Sequence, residues 1–257
     1  MLKKTVALLM FFSVLVAAQD VNSFIGKGDS LVAKFENQKA LEVYQGGLDK
    51  FPGNWELLWR ISRAYVDLGE HLPNTNSDEE KAQLEVYAKA LNFAEEAVKA
   101  GPDKSVTYLR RAVANGRIAL FKGVFSVADV VNQVRDDCEK AIKLNNGGNE
   151  IMGITHYVLA RTHAKISEKW APARSVLGLG WAEYDIAVEH FEKALKLYPG
   201  LMMIHLDYAK TLLREDEYEK ALKVLHSGDA CNILDEDDHE RKAEIASLIK
   251  EVEEELN

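Results

Sequence analysis

Residues 39–52 read KALEVYQGGLDKFP, residues 89–102 KALNFAEEAVKAGP, and residues 186–199 IAVEHFEKALKLYP. In each, a small residue is followed at offsets of 4, 7 and 12 by a second residue, a small one and a proline. The sets are Ala40, Tyr44, Gly47, Pro52; Ala90, Ala94, Ala97, Pro102; and Ala187, Phe191, Ala194, Pro199. A fourth stretch, KALKVLHSG (220–228), supplies Ala221, Leu225 and Gly228, lying 34 residues after Ala187, Phe191 and Ala194. A fainter copy, Val134, Cys138 and Ala141, lacks the proline. Offsets of 3 and 4 place such residues on one face of a helix. Small side chains there let a preceding helix approach closely, and a proline ends one helix and opens the next. Upstream lie the expected preceding helices, marked by Gly28 with Leu31, Ser62 with Tyr65, Ala160 with His163, and Ala209 with Leu212. The spacing from Leu31 to Ala40 equals that from Leu212 to Ala221.

This pattern resembles the tetratricopeptide repeat (TPR), a helix–turn–helix unit of about 34 residues. The resemblance covers about 21–228 and implies an all-α fold. That fold is a right-handed superhelical solenoid of about five helix pairs with a C-terminal capping helix. The repeats fall near 21–54, 55–104, 105–148, 149–201 and 202–234, with the cap at 236–256, in a single domain spanning 19–257. Two repeats are stretched. In GEHLPNTNSDEEKAQLEVY (69–87), Pro73 and the Asn/Ser cluster predict a loop, and Ser77 to Glu80 reads as a capping box opening a helix to about Ala100. In SEKWAPARSVLGLGWAEYD (167–185) an insertion carries Pro172, two glycines and two tryptophans.

The order of segments resembles one family more closely. LWRISRAYVDLGE (58–70), a long helix, LRRAVANGRIALFKG (109–123), CEKAIKLN (138–145), ITHYVLARTHAKISEKW (154–170), the insertion and YDIAVEHFEKALKLYP (184–199) follow one another. This looks like the regulator of microtubule dynamics family and its bacterial periplasmic TPR relatives. The resemblance implies a helical scaffold without catalysis. Its eukaryotic members are associated with microtubules and carry an N-terminal membrane segment. The insertion departs from the family, with Ala-Pro-Ala-Arg at 171–174 where the family is more aromatic and threonine/proline-rich.

Residues 1–18, MLKKTVALLMFFSVLVAA, combine Lys3 and Lys4, an apolar run, and Val16 and Ala18 before Gln19. This is the pattern of a secretory signal cleaved after Ala18, and it predicts export to the periplasm. The alternative is an uncleaved segment tethering the chain to the membrane, but the run is shorter than the roughly 20 residues a span needs. Microtubule binding is therefore not expected of an exported chain.

Composition narrows the rest. The chain of 257 residues has a net charge of -9, which opposes general nucleic-acid binding. Two cysteines form no ligand grid, and Cys138 and Cys231 sit too many helices apart to be bridged. None of the seven histidines stands in a ligand pair, and His156 and His163 fall at packing positions. The Gly-Leu-Gly at 178–180 reads as a turn, and the acidic run Asp235, Glu236, Asp237, Asp238, Glu240 as a helix start. No catalytic residue, metal site or cofactor is expected.

Binding is the expectation instead. The groove-facing positions of the first helices collect Trp59, Arg60 and Arg63, then Arg110 and Arg117, then Arg161 and Lys165, then Lys210 and Arg214. Guanidinium rows of this kind can hold acidic or C-terminal peptide segments of a protein partner. Ordinary solvated helix faces are the competing reading. In the insertion, Trp170 and Trp181 offer a second contact patch or a plug for the groove. The expected function is a non-enzymatic adaptor or scaffold. Competing readings are a soluble component of a solute-transport system, a homo-oligomeric assembly, and an enzyme with its site under 167–184.

Overall fold

The computed structural model describes residues 21–123, 126 and 128–257, so the signal reading of 1–18 lies outside the described residues. The described chain opens in helix at 21–32 (α1), followed by α2 (Asn37–Lys50), α3 (Trp55–Glu70) and α4 (Ser77–Ala100). These four helices belong to a compact unit that ends at Pro102. A second unit runs from Asp103. It contains α5 (Ser105–Lys122), α6 (Ala128–Leu144), α7 (Gly148–Ser167), the short α8 (Ala171–Val176), α9 (Tyr184–Leu197), α10 (Met202–Leu213), α11 (Tyr218–Asp229) and α12 (Asp238–Glu255). The described residues are all-helical, in five helix pairs: α1/α2, α3/α4, α5/α6, α7/α9 and α10/α11, with α12 capping α11. The repeat pattern predicts a single domain. The structure divides the chain between the second and third pairs, each unit burying its own core.

The small-residue sets occupy the buried seams. Ala40, Tyr44 and Gly47, then Ala90, Ala94 and Ala97, then Val134, Cys138 and Ala141, then Ala187, Phe191 and Ala194, then Ala221, Leu225 and Gly228 are all buried. Helices α2, α4 and α9 end at Lys50, Ala100 and Leu197, each two residues before its proline, because proline bars the residue ahead of it from helical backbone. The equal spacing in the first and last repeats corresponds to one turn used twice. The amide N–H groups of Glu36 and Glu217 donate to the carbonyls of Leu31 and Leu212. Phe35 (φ 60°) and Asp216 (φ 59°) each take the left-handed conformation at the same place. The cap of α4 is Asn76 rather than Ser77: its side chain accepts from the amides of Asp78 and Glu79, at 3.1 Å each. Glu79 reaches back to the amide of Thr75 at 2.8 Å. Asparagine caps as well as serine, so the box forms one residue earlier.

Close approach is tightest at Gly28 of α1. A Cβ there would lie 2.1 Å from Cε1 of Tyr44, whose ring is fixed by its hydroxyl donating to Asp29 at 2.6 Å. Gly28→Ala is expected to destabilise the first unit by about 1–3 kcal/mol through overpacking. Gly26, on the same helix, has nothing within 4 Å of its Cβ position. Gly26→Ala is expected to stabilise by about 0.5–1 kcal/mol through backbone entropy. Urea unfolding of both variants checks the opposite signs.

Candidate partner-binding faces

In the first unit, α1 and α3 are bridged on one face by charge. Arg60 donates from Nε and Nη2 to Asp29, at 2.8 and 3.0 Å, and from Nη1 to Glu56 at 2.5 Å. Its guanidinium also lies 4.1 Å from the centre of the Trp59 ring, whose Nε1–H points to Glu56 at 3.3 Å. Arg63 pairs more loosely with Asp67 at 3.4 Å. The predicted basic positions therefore share a face, and carboxylates from the same unit already hold them.

The second unit repeats the arrangement across α5, α7, α10 and α12. Asp207 of α10 accepts from the Tyr157 hydroxyl of α7 at 2.6 Å. It also lies 3.2 Å from Arg161 Nε, an ion-pair distance without hydrogen-bond alignment. Burial first, and then the charge of Asp207, push the Tyr157 hydroxyl well above the ordinary tyrosine range, while Arg161 and Arg117 oppose the shift. Arg117 of α5 thus acts on the same cluster, and Arg110, two turns earlier on that helix, is buried. At the end of α7, Glu168 accepts from Arg214 at 2.5 Å and from Lys165 at 3.3 Å. Lys210 reaches Glu244 of α12 at 2.6 Å. The row is consequently an alternation of cations and carboxylates strung across successive first helices. The carboxylates Asp29, Glu168, Asp207 and Glu244 were not singled out by the repeat pattern. The register supplies a signal for one of them, since Asp207 stands one turn before Lys210 on α10.

The insertion divides its apolar residues. Leu179 and Ala182 are fully buried in a cluster with Ala119, Val131 and Ile166. Trp181 packs against that cluster, donates from Nε1 to Asn132 at 2.8 Å, and is covered by the Arg135 guanidinium at 4.9 Å. Trp170 is 74% exposed and Val176 87% exposed. The two tryptophans therefore do not form one patch: Trp181 is tied down, and Trp170 faces solvent.

Behind the insertion, His156 and His163 of α7 meet His190 of α9. The Nδ1 atoms of His156 and His190 are 2.8 Å apart, so one donates to the other. The amide N–H of Glu183 donates to His163 Nδ1 at 3.2 Å. Burial holds all three rings far below the usual imidazole range, at about 4, with the neighbouring cations Lys193 and Arg135 adding to the shift. The acidic run before α12 is gathered by Arg241, which reaches Asp235, Asp237 and Asp238 at 2.7, 3.1 and 2.8 Å. Asp238 also accepts from the amides of Leu234 and Asp235, so it ties the loop to the helix start. Cys138 and Cys231 are both free thiols. Among the described residues no helix is long and apolar enough to cross a membrane, and no group of His, Cys, Asp or Glu is placed to hold a metal ion.

The model of the family described as regulator of microtubule dynamics protein 1-3 matches residues 24–253. The chain belongs to this family. Regulator of microtubule dynamics protein 3 of Rattus norvegicus is 25% identical over 190 residues, covering 71% of this family member and 38% of the rat protein. The chain thus spans about two fifths of the curated relative it matches. A thermophilic TPR protein of Thermus thermophilus superposes with a TM-score of 0.62 at 17% identity, over 90% of this chain and 99% of its own. That likeness shows the fold of this family member to be a TPR solenoid.

Proposed function

We propose that this chain is an exported, non-enzymatic scaffold that seats an acidic segment of a protein partner on the ion-paired face of its second unit. One observation carries the reading: Arg161, Lys210 and Arg214 are held across α7, α10 and α12 by the carboxylates Asp207, Glu244 and Glu168, with Glu215 also 3.3 Å from Arg214. The Lys210–Glu244 and Arg214–Glu168 pairs are exposed and contribute roughly 0–1 kcal/mol each, so a partner's carboxylates can take over these two cations at small cost, while Arg161 is held deeper beside Asp207. Export rests on the residue pattern of 1–18, and the regulation of microtubule dynamics in the rat relative's name is not carried to an exported chain.

A photo-crosslinking residue at Lys165 tests the seat. Crosslinks to a partner's acidic segment are expected from the native chain. Arg117→Glu combined with Arg161→Glu is expected to reduce them at least about tenfold, equivalent to 1.4 kcal/mol. Capture that survives the double charge reversal overturns the reading. Fusing 1–18 to a reporter active only outside the cytoplasm tests export, which an inactive fusion refutes.

A further inference from the structure

Helix α7 presents a different chemistry on its other side. Leu159 and His163 are each two residues from the inner-face pair Tyr157 and Arg161, which at 3.6 residues per turn places them on the far side of the helix. There they join α6, α9 and Trp181 in lining an open pocket of about 370 Å³, near the lower end of the size range of small-molecule sites.

The walls are apolar: Ile142, Leu159, Ile186 and the Trp181 ring. The polar lining side chains are Arg135, Glu139, Lys143, His163 and His190. Lys143 lines the pocket and has no ion-pair partner among the described residues. Arg135 is fixed above Trp181 and bound to Asp136 at 2.6 Å, and it lies 4.0 Å from Glu139. Because the Glu183 amide occupies His163 Nδ1, the proton of that neutral ring sits on Nε2, which makes it a donor. His190 is engaged through Nδ1 with His156. Neither His163 nor His190 has a hydrogen-bond partner at Nε2 among the described residues. The lining side chains thus carry two cations, one carboxylate and neutral imidazoles, a residual charge of one cation beside an apolar slot.

We propose that this pocket binds a small monocarboxylate with a compact apolar body, its hydrocarbon or aromatic part against Trp181, Ile142 and Ile186 and its carboxylate on Lys143 and the His163 Nε2–H. The site is independent of the partner-binding face: it uses the opposite side of α7 and none of its ion pairs.

Titration calorimetry of the full chain with phenylacetate, indole-3-acetate and 4-methylpentanoate, each beside its neutral primary amide, tests the proposal. At least one acid is expected to bind about tenfold more tightly than its amide and to shift the Trp181 indole N–H resonance, assigned with Trp181→Phe. Lys143→Gln, at an exposed position that makes no ion pair among the described residues, is expected to bring acid and amide within about twofold while leaving the amide's affinity unchanged. Equal affinity for acid and amide, an acid preference that survives Lys143→Gln, or no saturable binding of any acid up to about 10 mM overturns it.

Discussion

Replacing Arg111 with methionine is expected to destabilise the second unit by about 3–5 kcal/mol. Arg111 of α5 donates from Nε and Nη2 to the two oxygens of Asp137 on α6, at 2.8 and 2.6 Å. Gln133 adds a third bond to Asp137 at 3.0 Å. The Asp137 side chain is only 2% exposed, and that of Arg111 23%. Removing the guanidinium therefore leaves a carboxylate buried between two helices with one amide for company, and its lost hydration is not replaced. The methionine keeps the apolar stem, so lost packing is a minor part of the effect. The double variant Arg111→Met with Asp137→Leu is expected to recover most of the loss, because an apolar pair of similar volume carries no desolvation penalty. Urea unfolding followed by circular dichroism measures both. A single-variant loss under about 1 kcal/mol would mean that the pair is screened like a surface one.

The contrast between that pair and the small-residue seams shows what the sequence made legible. Ala90, Ala94 and Ala97 could be placed because close packing of two adjacent helices is a local, periodic demand, repeated wherever the next pair begins. The helical members of every set, even the faint Val134, Cys138, Ala141, are buried for the same reason. Offsets on single helices likewise put neighbouring cations of one helix on one side, as with Arg161 and Lys165 of α7. The partners of the cations were not legible. Arg60 meets Asp29 across 31 positions and Arg214 meets Glu168 across 46, and such pairings depend on how one helix rotates against another rather than on a spacing within either. His190 escaped notice for a related reason. It lies 34 positions after His156, one repeat length, yet the two sit on the first and second helices of the same pair because the insertion lengthens that repeat. The division after Pro102 has no counterpart in the repeat pattern, since a solenoid's sequence period is the same on either side of it.

Acidification between pH 6.5 and 4 is expected to remove about 3–5 kcal/mol from the stability of the second unit, a figure discounted for the partial exposure of the rings. His156, His163 and His190 each titrate near 4 in the folded chain, against 6.5 for the unperturbed group, with burial as the leading cause. A lowered folded pKa means that the unfolded chain takes up protons first. Stability is accordingly full above about pH 6.5, falls as pH drops through the window, and levels off below the folded value. The geometry gives the shift its mechanism. A single proton between His156 Nδ1 and His190 Nδ1 satisfies both atoms at 2.8 Å, whereas two protonated rings would set N–H against N–H. His163 loses its acceptor for the Glu183 amide on protonation. Lys193 and Arg135 oppose added positive charge around the rings, and Glu189 alone favours it at His156 and His190. His190→Asn keeps a donor for His156 Nδ1 and cannot be protonated in this range. It should therefore flatten the stability curve between pH 6.5 and 4 by at least a third while costing less than about 1.5 kcal/mol at pH 7.5. Chemical unfolding across a pH series checks this. A native curve without slope in the window, or a slope that His190→Asn leaves intact, removes the histidine cluster as its cause.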